Sequence, residues 1–271
     1  MKTSTWIVAS LTVLLGPPTA RGQEPPPPAP AEAASPAAPE VAQPAASPPV
    51  PLDTAMVKRG TGVYKRYCVS CHGPHGDGRG YSAQWLDPRP RDFTSAIFKC
   101  RSTPSGSLPT NEDLTRTLRV GFYHTYMPPW AVLGDRSIRD VAEFIKTFAV
   151  KWKEEGPQAP VAIPPEPADD QASRARGKTV WGNNQCEKCH GATGKGDGAS
   201  VPTLIDDWGY HIVPFDFTKS DARKCGNTPA DLYRTFMTGV NGTPMPSFAD
   251  SMTPAEAWDL VHFLQTLRQK D

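Results

Sequence analysis

Apolar residues recur at helical spacing in two long stretches of the chain. In residues 137–152, Ile138, Val141, Phe144, Ile145 and Phe148 fall on one face, with Ser137 as the expected N-cap. In residues 253–269 the stripe is broader: Trp258, Leu260, Val261, Phe263, Leu264 and Leu267 follow a Thr253 cap and a proline at 254 in the first turn. Two shorter helical stretches, 54–67 and 173–183, stand about 80 residues upstream of these and carry matching pairs, Arg59-Gly60 and Arg176-Gly177. The small glycines are expected to let each closing helix cross its opening helix closely.

The N-terminal region has a different pattern. Lys2 precedes an apolar run from Trp6 to Leu15, and small residues at Ala20 and Gly22 suit cleavage before Gln23. Residues 1–22 therefore read as a secretory signal peptide, with an uncleaved segment serving as an anchor as the alternative. The run is about half of the roughly 20 residues a membrane-spanning helix needs. Residues 23–52 are rich in proline and alanine and cannot bury a core, so they read as a disordered tether or semi-rigid spacer.

The remainder is one unit written twice. Cys68-Val69-Ser70-Cys71-His72 recurs as Cys186-Glu187-Lys188-Cys189-His190. Each copy is followed by a glycine-rich loop, Gly76-Asp77-Gly78 or Gly196-Asp197-Gly198. Next comes an Asp-Phe-Thr motif at residues 92–94 or 216–218, then a Met-Pro pair at Met127-Pro128 or Met245-Pro246. Between the copies, residues 154–170 carry five acidic residues and five prolines, and form an expected acidic linker. No βαβ pattern surrounds the glycine-rich loops, so they are not read as phosphate cradles.

CxxCH supplies two thiols for thioether links and an imidazole for one iron face within a single helical turn, which is the attachment site of a c-type haem. Cys68, Cys71, Cys186 and Cys189 are the expected covalent attachment points, and His72 and His190 the proximal ligands. A four-cysteine zinc site is the alternative, but the CxxC pairs stand much farther apart than its usual spacing. On the opposite iron face the candidates are Met127 and Met245, each 55 residues beyond its histidine, with His124 close enough to compete at the first site. Each copy holds about 100 residues, so a large apolar cofactor at its centre supplies much of the buried surface.

In these motifs the chain resembles class I c-type cytochromes in tandem, like the two-domain dihaem electron carriers of the bacterial periplasm. The resemblance implies an all-α fold: cytochrome c domain 1 at 53–153, the linker at 154–170 and cytochrome c domain 2 at 171–271. It implies two covalently attached haem c groups, a periplasmic location and single-electron exchange with redox partner proteins, without substrate chemistry. The rival readings are a dihaem enzyme, peroxidase-like or thiosulfate-oxidising, and a cytochrome subunit docked on a larger dehydrogenase.

Cys100 and Cys225 depart from that pattern. They follow the two Asp-Phe-Thr motifs at similar distances, and in an oxidising compartment leftover thiols tend to pair. An interdomain disulfide, two free buried thiols and a thiolate haem ligand all stay open here. The charge is uneven: residues 53–153 carry 16 basic against 9 acidic side chains, residues 171–271 carry 11 of each, and the whole chain is near neutral. A near-neutral chain offers no general attraction to nucleic acid, whereas a basic first domain suits an acidic redox partner. Membrane contact is expected only through a partner or an uncleaved signal anchor.

Overall fold

The computed structural model describes residues 47–219 and 222–268. The expected signal segment of residues 1–22 and all of the expected 23–52 tether except residues 47–52 lie outside them. The described residues hold nine α-helices and three short 3-10 turns, with no strand. The first repeat contributes α1 (Thr54–Tyr67), α2 (Val69–His72), α3 (Asn111–Val120), α4 (Gly134–Lys146) and α5 (Lys151–Glu154). The second contributes α6 (Gln171–Asn183), α7 (Glu187–His190), α8 (Pro229–Thr238) and α9 (Pro254–Thr266). No helix among these residues is long and apolar enough to cross a membrane.

The helix starts are written in the sequence. The Asp53 and Asp170 carboxylates accept from the backbone of Met56 and Ser173 at 2.9 and 2.7 Å, fixing the first turns of α1 and α6. Reciprocal capping boxes open α3 (Thr110 with Asp113), α8 (Thr228 with Asp231) and α9 (Thr253 with Glu256). At α4 the structure corrects the reading. The helix begins at Gly134, directly after a 3-10 turn at Ala131–Leu133, so Ser137 lies inside it and is not its cap. Asp135 in that first turn suits the positive end of the helix dipole and pairs with Arg119 at 2.7 Å, which draws the helix start upstream. The closing segment is also broken: α4 ends at Lys146, and Trp152 enters the core from the separate turn α5.

Each repeat is locked by an opening helix crossing a closing one, α1 against α4 and α6 against α9. A Cβ added at Gly60 would overlap the carbonyl oxygen of Asp140, and one at Gly177 would overlap that of Asp259. The arginines beside these glycines fasten the same crossings. Arg59 grips Asp140 through two bonds of 2.7 Å, and Arg176 grips Asp259 through bonds of 2.7 and 2.8 Å. In the second crossing the Ser173 hydroxyl donates to Asp259 at 2.5 Å and lies 2.6 Å from His262 Nδ1. His262 is fully buried and faces Glu166 of the linker at 3.4 Å.

Around these crossings lie two cores, one built on Tyr64, Leu118, Ile138 and Val141, the other on Trp181, Tyr233, Leu260 and Val261. Burying each large apolar side chain contributes about 1.5–3 kcal/mol.

Both repeats belong to one compact unit. The linker is seated along them: the Val161 amide donates to the Ser102 carbonyl at 2.8 Å, and Ile163 packs on the second core. Cys100 and Cys225 form a disulfide across the junction, with Cα atoms 5.1 Å apart. Arg101, fully buried beside it, donates to the Thr238 carbonyl at 2.6 Å.

Candidate functional site

In each repeat a short helix delivers the two cysteines and the histidine, α2 in the first and α7 in the second. The glycine-rich loop that follows folds back to satisfy the carbonyls left free at the end of that helix. Gly78 and Gly80 donate to His72 and Cys71 at 3.0 and 3.1 Å, and Gly196 and Gly198 donate to His190 and Cys189 at 2.8 and 3.1 Å. Gly80 and Gly198 lie so close to the Ser70 and Lys188 carbonyls that no side chain fits there. The loops are therefore clamps on the cysteine turn.

The Asp-Phe-Thr motifs, noted in the sequence only as repeats, orient the two imidazoles. The residue before each aspartate offers its carbonyl to the histidine: His72 Nδ1 lies 2.9 Å from the Arg91 oxygen, and His190 Nδ1 lies 3.2 Å from that of Phe215. Phe93 stacks on the His72 ring at 4.5 Å, and Phe217 tilts against His190 at 5.0 Å. The aspartate holds the turn by accepting from the threonine amide and hydroxyl, at 2.8 and 2.6 Å in the first repeat and 2.9 and 2.6 Å in the second. With Nδ1 engaged, Nε2 is the nitrogen left to ligate a metal. Burial pushes both imidazoles below their ordinary pKa, which keeps them neutral, the form that ligates. The thiols of Cys68 and Cys186 are pushed up to about 12, chiefly by burial.

Both methionine loops share a second construction. The Met127 amide donates to the Thr125 hydroxyl at 3.0 Å, and its carbonyl accepts from the Phe122 amide at 3.0 Å. Met245 is held by Thr243 and Val240 at 3.2 and 3.0 Å. Trp130 and Phe248 then tie the loops back to Leu118 and Phe236, at 2.9 and 2.8 Å. The threonine two residues before each methionine was readable in the sequence, as a repeated Thr-x-Met-Pro.

A cavity in the first repeat brings these parts together, lined by Cys68, Cys71, His72, Met127, Pro128, Phe93, Leu118 and Trp130 among others. It fits a haem: a mostly apolar wall, two cysteine sulfurs, a histidine and a methionine on one cavity, and the buried indole N–H of the lining Trp130, which has no hydrogen-bond partner. In the second repeat Cys186, Met245, Phe215 and Phe248 pack around the second core in the same order.

His124, the competitor, is turned away from the slot. Cys100 is committed to Cys225 and is not free to act as a thiolate. The four CxxC thiols stay in two separate repeats, and no group of three or more His, Cys, Asp or Glu side chains is gathered for a metal among the described residues.

Comparison with known proteins agrees with this construction. The family described as "Cytochrome c" matches residues 174–268, and the family described as "Cytochrome C oxidase, cbb3-type, subunit III" matches residues 55–145. A chain of the Kuenenia stuttgartiensis reducing HAO-like protein complex is similar at 39% identity with a TM-score of 0.77, over 81% of this chain and 100% of that one. No curated protein matches the chain.

Proposed function

The chain belongs to the c-type cytochromes, carrying two such domains in tandem with covalently bound haem c and haem-based electron transfer as its chemistry; on that premise we propose that it is a periplasmic carrier of single electrons between redox proteins, without substrate chemistry. The bound haem supplies a one-electron couple, and this chain's residues decide what else can reach it. His72 and Met127 line one cavity from the two loop systems, and the duplicated hydrogen bonds hold each of them in place. Held on one cavity in this way, the two residues would occupy both faces of a haem iron and leave no position for a substrate, and their shared cavity is the observation that carries the proposal.

The test is small-ligand binding. The reduced protein should not bind carbon monoxide and should turn over neither hydrogen peroxide nor hydroxylamine, while exchanging electrons rapidly with a soluble redox partner. Carbon monoxide binding at one haem together with turnover would move the assignment to an enzyme.

A second reading, a subunit resident in a larger redox assembly, is favoured by the similarity to a chain of an HAO-like protein complex. Native purification distinguishes the two: a carrier elutes alone, and a subunit elutes with its assembly.

A further inference from the structure

The cavity of the first repeat is not closed by that repeat alone. Besides Arg89, Arg91 and Lys99 of the first domain, Lys224 of the second lines it. The placement is fixed covalently, because Lys99 and Lys224 each precede one half of the Cys100–Cys225 bond. Arg91 is pinned from the same side, its guanidinium 4.0 Å from the centre of the Trp208 ring.

Three of these cations, Arg91, Lys99 and Lys224, are partly buried and close enough to repel one another, and none forms an ion pair with a carboxylate among the described residues. Asp87, Asp92, Asp206 and Asp207 act on them only at longer range. Burial and the mutual repulsion of the cluster push Lys99 down to about 8. Like charges gathered out of water are unfavourable unless an anion sits among them. Haem c carries two carboxylates, and Trp130, whose indole N–H has no partner, lines the same cavity.

We propose that Lys224 of the second domain completes, with Arg91 and Lys99, a cationic cradle for the carboxylates of the haem held in the first domain. The cradle makes the first haem's potential a property of both domains, since a positive charge beside those carboxylates favours the reduced state. It holds whether the chain is a carrier or an enzyme, because its readout is an equilibrium potential.

The experiment is a spectroscopic redox titration of the full chain with both haems attached. Met127→His and Met245→His each displace one of the two waves and so assign them. Lys224→Gln should displace the first-domain wave downward by about tenfold in its equilibrium constant, about 59 mV for one electron. That is the scale of one charge at an effective dielectric of about 20. Lys224→Arg should restore the wave, and Lys178→Gln, on the exposed face of α6, should move neither.

A Lys224→Gln protein whose waves match the wild type, or whose second-domain wave alone moves, overturns the cradle. Wild-type potentials that shift with inorganic phosphate at constant ionic strength would also overturn it, showing an open anion site instead.

Discussion

His124 Nε2 lies 3.0 Å from the carbonyl oxygen of Ala222, so the one side chain that competes with Met127 for the first iron is spent on the second domain. Met127→Ala should change the spectrum of the first haem and lower its potential, because methionine opposite histidine raises potentials in c-type cytochromes. His124→Ala should leave both unchanged. A Met127→Ala protein with an unaltered first haem would transfer the ligand role to another residue.

The disulfide closes a loop of 125 residues between Cys100 and Cys225. Its removal should cost about 4–5 kcal/mol by the chain-entropy model. Cys100→Ser, Cys225→Ser and the double variant should lose the same amount in denaturant unfolding, because each removes the same bond. Peptide mapping without reductant should recover the two cysteines in one linked fragment.

Glycines on a single helix offer a direct contrast. Gly60→Ala places a methyl group against the Asp140 carbonyl and should destabilise the first domain by about 1–3 kcal/mol. Gly62→Ala meets open space and should stabilise by about 0.5–1 kcal/mol through helix propensity. Thermal melts of the two variants should move in opposite directions. Gly177→Ala should repeat the Gly60 result in the second domain.

Acid should weaken both helix crossings. The Arg59 hydrogen bond holds Asp140 below its ordinary value of 3.8. Burial alone would raise Asp259, but its bonds from Arg176 and Ser173 outweigh that and hold it below the same value. A carboxylate whose pKa is lower folded than unfolded stabilises fully above the unfolded value, and the gain is lost as pH falls through the folded one. The contribution of these two carboxylates should therefore be constant above about pH 5 and be lost below about pH 4. In Asp140→Asn the fall should be shallower, from a lower plateau, when followed by denaturant midpoint against pH.

Lys65 and Arg66 are exposed on the last turn of α1, directly before the cysteine turn. Lys65→Glu with Arg66→Glu should slow electron exchange with an acidic partner at low salt and matter little once screening shortens the Debye length to about 8 Å. Stopped-flow rates across ionic strength test this, and a flat dependence would show that the surplus charge is only solvated surface.

The repeats, the attachment turns and the crossing helices were legible because each rests on neighbours in sequence or on a pattern present twice. Gly60 and Gly177 announced a close crossing, and Thr253 with Pro254 announced the start of α9. Other features depend on contacts distant in sequence. The Arg91 and Phe215 carbonyls that orient the imidazoles belong to residues of unlike type, so the repeat hides their shared role, which resides in the backbone. The start of α4 depended on a preceding 3-10 turn and on Arg119. Lys224 lining the first domain's cavity is invisible in a sequence that assigns it to the second, and the seating of residues 154–170 was masked by a composition that reads as a spacer.

Arg91 has two attachments: its backbone oxygen fixes the first imidazole, and its guanidinium lies on Trp208 of the other domain. With Cys100 bonded to Cys225 nearby, the first metal ligand and the opposite domain share one rigid joint. An electron exchanged between the two haems should therefore cross a gap held at constant length by this joint. The rate of such internal exchange should be insensitive to solvent viscosity until the joint is cut.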